Sequence, residues 1–274
     1  MIFNFLIIIL YTALNLISEI SYADKLNDIK KTKTIRIAVF DSNPPFGFID
    51  PNTKKLAGYD IDIAKKIANN LNVKLILRPT NPANRIPLLI SGKVDLIGAN
   101  FTITSERAKQ IHFSIPIFST EQKFIARKGL LKTINDITML RIGADKGTVQ
   151  EITLRKYYPN IKIISYDDTP FAFAALQNGN VQAITQDDAK LIGLLSNLPE
   201  NIKRNYEISP FSITHEYQAL AAVKGETNLI NAINNILLNL ENNGQAKIIY
   251  DRWFGPKTKA ELPRGSFQFT ISKK

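Results

Sequence analysis

The chain has 274 residues, 45% of them hydrophobic, and contains no cysteine. That excludes a disulfide framework, a lipid-modified N-terminal cysteine and cysteine-ligated zinc. The formal net charge of +11 comes from Lys and Arg spread among acids, not from a basic helix or an aromatic-basic module, so a basic solvated surface is expected and no nucleic acid partner.

From Ile2 to Ile17 the chain is almost wholly apolar, and Ser21-Tyr22-Ala23 puts small residues where a signal peptidase needs them. Residues 1–23 therefore read as a secretion signal, with an uncleaved membrane anchor as the alternative, for which the segment is barely long enough. No later segment is apolar enough to span a bilayer, and the compartment expected is the periplasm. The remainder can fill one large or two small cores, since domains typically hold about 100–150 residues.

After a polar connector at Asp24 to Lys33, alternation at Ile35, Ile37 and Val39 predicts a strand, broken by Asn43-Pro44-Pro45. Between Gly58 and Leu71, Ile63, Ile67 and Leu71 recur every four residues beside Ala64 and Ala68, which predicts an amphipathic helix. A strand over Val73 to Leu77, a helix through Ile86, Leu89 and Ile90, and a short apolar strand over Val94 to Gly98 complete a β-α-β-α-β run and imply a mostly parallel sheet. The pattern restarts after Ile115-Pro116-Ile117, with strands at Phe124 to Ala126, Leu140 to Ala144, Ile161 to Ser165 and Val181 to Thr185. Thr169-Pro170 marks a helix start. A strand from Tyr217 to Val223 and helices over Glu226 to Leu240 and Gln245 to Phe254 follow. These are more elements than a second small sheet needs, so the C-terminal part is expected to return to the first. From Pro256 onward, lysines without periodicity predict a partly disordered tail.

Several of these segments carry a resemblance: Pro44-Pro45-Phe46-Gly47, Gly58-Tyr59-Asp60-Ile61-Asp62, Ser91-Gly92-Lys93-Val94-Asp95, Thr102-Ile103-Thr104-Ser105-Glu106-Arg107, Lys146-Gly147-Thr148, and Tyr250-Asp251-Arg252-Trp253-Phe254-Gly255. In this order and spacing the chain resembles the periplasmic polar amino-acid-binding proteins of ABC importers, solute-binding protein family 3. The resemblance implies an α/β fold: a two-lobed periplasmic-binding-protein clamshell (type II) with a double-crossover hinge. Lobe 1 would comprise residues 33–118 plus 214–254, lobe 2 residues 119–213, and residues 255–274 a C-terminal tail. The implied partners are a small-molecule amino acid and the membrane permease of the importer, the chain itself being a monomer. No cofactor is expected.

A free amino acid is a zwitterion, so a buried site must offer donors to its carboxylate and acceptors to its ammonium. The family motif gives the first task to Arg107, whose alternative is a surface pair with Glu106. Thr102 would add a hydroxyl and Asn100 backbone groups. Thr148, where a strand opens into a helix through Val149 and Gln150, would present N–H groups and a favourable dipole to the same carboxylate, although a Lys-Gly-Thr can be only a helix start. Asp187 matches the family's ammonium acceptor; Asp188 beside it leaves the register open, and a plain N-cap is the other reading. Asn43 stands where many relatives carry an aromatic, and Phe101 is either a substitute platform or core. Gln150 is counted with the lining residues.

Two charges bear on the ligand's side chain. Arg85 falls where relatives that bind acidic amino acids hold the distal carboxylate, and Asp145 ends a strand where relatives often place an apolar residue. If both line the distal pocket, cystine satisfies them together; glutamate or aspartate is the alternative, and Asp145 turned outward to Lys146 or Arg141 would say nothing about ligand. An enzyme on the same scaffold, such as a dehydratase, would need a positioned acid or base, and neither His112 nor His215 sits in a catalytic constellation. A binding protein, not an enzyme, is expected.

Overall fold

The computed structural model describes residues 24–270. The apolar segment read as a secretion signal lies outside the described residues. The stretch expected as a polar connector is instead a helix, α1 (Lys25–Thr32), capped by the Asp24 carboxylate accepting from Leu26 N at 3.1 Å. A single buried residue, Ile29, is enough to dock it on the main core, and Lys25 N is anchored on the Glu226 carboxylate 3.0 Å away.

Strand β1 (Thr34–Val39) leads into a small antiparallel sheet of β2 (Ser42–Asn43), β3 (Gly47–Ile49) and β4 (Leu56–Ala57). The predicted amphipathic helix is α2 (Tyr59–Leu71), ended by Asn72 in the left-handed conformation that asparagine tolerates. Next come β5 (Lys74–Pro79), α3 (Arg85–Ile90), β6 (Leu96–Ile97) and α4 (Ser105–Gln110). Both β5 and β6 run parallel to β1, as the β-α-β-α-β pattern requires. The long strand β7 (Ile111–Arg127) follows, where only Phe124 to Ala126 was expected. Proline in a strand argues against the assignment, but Pro116 sits at a register irregularity opposite Ala219, where the ladder does not need its missing N–H.

Beyond β7 the chain alternates again through β8 (Arg141–Asp145), α5 (Val149–Tyr157), β9 (Lys162–Tyr166), α6 (Thr169–Gln177), β10 (Ala183–Asp187), α7 (Asp188–Ser196), α8 (Glu200–Lys203) and β11 (Tyr206–Ile208). Strand β12 (Thr214–Val223) then pairs antiparallel with β7, and α9 (Thr227–Asn242) and α10 (Gln245–Phe254) return to the first core. The large sheet has the order β5-β1-β6-β12-β7-β10-β8-β9, with β11 also on β7. The crossing strands β7 and β12 are thus shared by two α/β layers, the β1 side and the β8 side. At the crossover Ser119 faces Tyr217, Thr120 faces Glu216 and Gln122 faces Thr214.

Apolar packing is divided in the same way. On the β1 side Ile35, Ile37 and Leu220 pack with α2, α9 and α10, and on the opposite sheet face lie Ala38, Phe40, Ile97 and Phe101. On the β8 side Ile125 and Ile184 face α6 and α7, while Phe124 and Ile142 face α5. The tail expected to be partly disordered is packed as far as Thr270. Tyr250 donates its hydroxyl to Leu262 O at 3.1 Å, Arg264 pairs with Glu241 at 2.5 Å, and Phe269 is buried in the main core. Those anchors have no period because each meets a different neighbour, which is why the sequence pattern does not reveal them.

Candidate functional site

Charged side chains, which proteins mostly keep at the surface, are buried together near the crossover: Asp60, Asp145, Asp168, Asp187 and Glu216 with Arg85, Arg107 and Lys190. Each is placed by the end of a regular element. Arg107 projects from α4, whose start is fixed by Thr104 accepting from Arg107 N at 3.1 Å. Its guanidinium donates to Thr102 O at 2.7 Å and, from the β1 side to the β8 side, to Gly147 O at 3.1 Å. Glu106 turns away to Ser105, so the alternative surface pair does not form. The Phe101 ring is both core and platform: it is buried, with the Arg107 guanidinium 4.2 Å and the Arg85 guanidinium 4.7 Å from its centroid. Burial lowers Arg107 to about 10, with Glu216 and Asp187 pulling it back up.

Asp187, at the end of β10, lies inside the cluster, whereas Asp188 accepts from Thr120 Oγ at 2.6 Å on the crossing strand. Asp187 accepts from Gln150 Nε2 at 2.6 Å on one oxygen and from Gln218 Nε2 at 2.9 Å on the other. Glu216 accepts from Thr102 Oγ and Gln150 Nε2, both at 2.9 Å, and from Thr214 Oγ at 2.9 Å. Burial, reinforced by the neighbouring Glu216 carboxylate, pushes Asp187 up to about 8, and burial raises Glu216 as well. Asn100 joins the network from a turn with φ of 47°, a conformation asparagine adopts at little cost. Its amide donates to Gln218 Oε1 at 2.8 Å, and its N–H to Asp60 at 2.8 Å, a carboxylate that burial pushes to about 8. Thr148 caps α5, and its hydroxyl donates to Asp145 O at 2.7 Å, so that hydroxyl is committed within the turn.

Each member of the distal pair has partners of its own. Arg85 is 2% exposed and donates to three backbone carbonyls, of Pro82, Ala99 and Asn100, each at 3.0 Å. Asp145 turns neither to Lys146 nor to Arg141, which binds the carbonyls of Gly179 and Asn180. It faces inward, where Thr169 Oγ at 2.6 Å, Gln186 Nε2 at 2.7 Å and Lys190 Nζ at 3.4 Å all converge on Oδ2. Asn43, in place of the aromatic frequent in relatives, donates to Asp168 at 2.8 Å across from the β1 side to the β8 side, and Ser42 donates to the same carboxylate.

Two glycines mark how closely the sides approach. A Cβ on Gly193 of α7 would lie 2.3 Å from Pro44 O, and one on Gly147, whose φ of 79° favours glycine, 3.1 Å from Ala83 Cα. Glu216, Gln218, Lys190, Asp168 and Asp60 escaped the sequence reading. Thr214, Glu216 and Gln218 do alternate on one face of β12, and Lys190 stands alone in the apolar run Ala189 to Leu195; both patterns are visible signals of inward polar groups.

The profile of the bacterial extracellular solute-binding proteins, family 3, matches residues 35–256. The chain belongs to that family. It is 31% identical to the ABC transporter glutamine-binding protein GlnH of Bacillus subtilis over 241 residues, 86% of either chain. It is 27% identical to the L-cystine-binding protein TcyJ of Escherichia coli, over 86% of this chain and 88% of that one. Among solved structures, the cysteine-binding protein from Campylobacter jejuni superposes with a TM-score of 0.80 at 29% identity, covering 87% of this chain and 96% of its own. As in the type II solute-binding proteins, two α/β layers here share a pair of crossing strands, and the buried charges gather beside that crossover.

Proposed function

We propose that this chain is the periplasmic receptor of an ABC importer for a polar amino acid, held between lobe 1 (residues 33–118 with 214–254) and lobe 2 (residues 119–213). Residues 1–23 are its cleaved secretion signal, and it delivers the ligand as a monomer to a membrane permease. The observation that carries the reading is the pairing of Arg107 and Asp187 in one buried network, contributed from opposite sides of the crossover. Arg107 takes the α-carboxylate, with Thr102, Asn100 and the turn at Thr148 beside it, and Asp187 takes the ammonium.

At the distal end Arg85 and Lys190 stand with Asp145 and Asp168, two cations and two acids. A balanced set suits a side chain of no net charge that still offers donors and acceptors. Cystine, whose far end is itself a zwitterion, is the ligand this reading favours, with glutamate or aspartate on Arg85 the alternative. A dehydratase on the same scaffold gains no support, because His112 pairs with Ala222 along β12, away from Glu216, and His215 is engaged by Ser119 at 2.9 Å.

Calorimetric titration of the purified protein with cystine, glutamine, glutamate, aspartate and arginine tests the reading. Binding is expected for at least one, strongest for cystine. Binding of glutamate or aspartate with none of cystine removes the distal-charge argument, and binding unchanged in Arg107→Ala removes the receptor site.

A further inference from the structure

The Gln150 side chain occupies a position that the assignment of Arg107 and Asp187 leaves unexplained. Its amide nitrogen lies 2.6 Å from Asp187 Oδ1 and 2.9 Å from Glu216 Oε2, bridging carboxylates from two different strands. All three side chains are at least nine-tenths buried. A neutral amide is a weak partner for two desolvated acids: it brings two N–H groups and no charge. An ammonium brings three N–H groups and the charge that such a pair lacks. Glu216 Oε2 already accepts from Thr102 Oγ at 2.9 Å, so the acceptor direction left on it is the one that Gln150 Nε2 fills, and a ligand nitrogen that bonds both oxygens competes with the amide for it.

We infer that the Gln150 amide is a built-in competitor for the ligand's ammonium, and that Glu216 is the second carboxylate of the ammonium site. The inference rests on the amino-acid reading above and deepens it. Binding then exchanges one nitrogen for another on the Asp187 and Glu216 oxygens. The displacement is a side-chain rotation, because the Gln150 backbone is held at the start of α5 and its carbonyl accepts from Gln122 Nε2 at 3.1 Å. The fit of the amide between the two acids weakens every amino-acid ligand alike, since all carry the same ammonium.

Two variants and one spectroscopic measurement test this, with L-cystine, L-glutamine and L-glutamate as probes. Gln150→Met keeps length and volume but has no donor, and Gln150→Asn keeps the amide but is one methylene too short to meet both acids. Either is expected to bind whichever probe the wild type binds about tenfold more tightly, a gain of the size of one hydrogen bond to a charged group. In a Glu216→Gln background, Gln150→Met is expected to give little or none of that gain. In the wild type, the side-chain amide protons of Gln150 are expected to shift on saturation with probe, which reads the exchange without any substitution. Unchanged or weaker binding in folded Gln150→Met and Gln150→Asn overturns the competitor role and makes Gln150 an ordinary ligand contact, as does an amide resonance that stays in place. Wild-type protein that binds none of the probes overturns the receptor reading itself and this inference with it.

Discussion

The two ends of the buried cluster treat their carboxylates in opposite ways. At the distal end Asp145 has a true counter-ion, Lys190, 3.4 Å away and itself 5.1 Å from the Phe40 ring centroid. At the proximal end Asp187 and Glu216 are joined by amides and hydroxyls, and among the described residues no lysine or arginine is in hydrogen-bond contact with them. Burial raises the carboxyls at both ends, and a neighbouring acid adds to it at each, Asp168 at Asp145 and Glu216 at Asp187. A carboxylate that already holds a cation does not call for a further charge, whereas two acids held on neutral donors are suited to receive a cation from outside.

Substitutions can break this comparison, and the largest effect is expected at Arg107. Replacing it with alanine removes the charged donor bonded to Thr102 O and Gly147 O and is expected to abolish measurable amino-acid binding, a loss of several kcal/mol, with the circular dichroism spectrum unchanged. Near wild-type affinity by titration calorimetry would take Arg107 out of the site.

Next in size is Lys190→Met, which leaves Asp145 without its cation. A broken buried pair costs about 3–5 kcal/mol, so the urea midpoint is expected to fall steeply. The fall should be smaller at pH 5 than at pH 8, because an unpaired carboxyl whose pKa is raised is easily protonated at the lower pH. An equal fall at both pH values would place the loss in packing and not in charge. Phe269→Ala tests the tail by the same denaturation measurement: loss of a buried phenylalanine is expected to cost about 3 kcal/mol, whereas a free tail would cost nothing.

The smallest effect is on pH dependence. Burial, with Glu216 and Asp188 adding to it and Lys190 opposing it, holds Asp187 at about 8, above the usual range of its side chain, while Arg107 faces Glu216. A carboxyl raised in the folded state costs folding stability that grows as pH rises from its unfolded value, near 4, towards 8. A bound ammonium offsets that cost by favouring the charged form. Affinity is therefore expected to rise between pH 6 and pH 8, by less than tenfold per pH unit, with protons released on binding. Calorimetry in buffers of different ionisation enthalpy reads that release; proton uptake would reverse the assignment of Asp187.

Much of this molecule was legible from residue order. The alternation of Ile35, Ile37 and Val39 and the four-residue spacing of Ile63, Ile67 and Leu71 depend only on which face of an element is dry. They lead to the β-α repeat, and the surplus of elements after Tyr217 leads to a chain that returns to its first sheet. The motifs around Arg107, Thr148 and Asp187 likewise name residues that the fold brings into one cluster. What residue order does not carry is which buried charges meet. Lys190 pairs with a residue 45 positions away, Asn43 with one 125 positions away, and Gln150 bridges residues 37 and 66 positions away. Periodicity reports a residue's environment along its own helix or strand, but the partner of a desolvated charge is set by how the two sides of the crossover meet, and that only the tertiary structure decides.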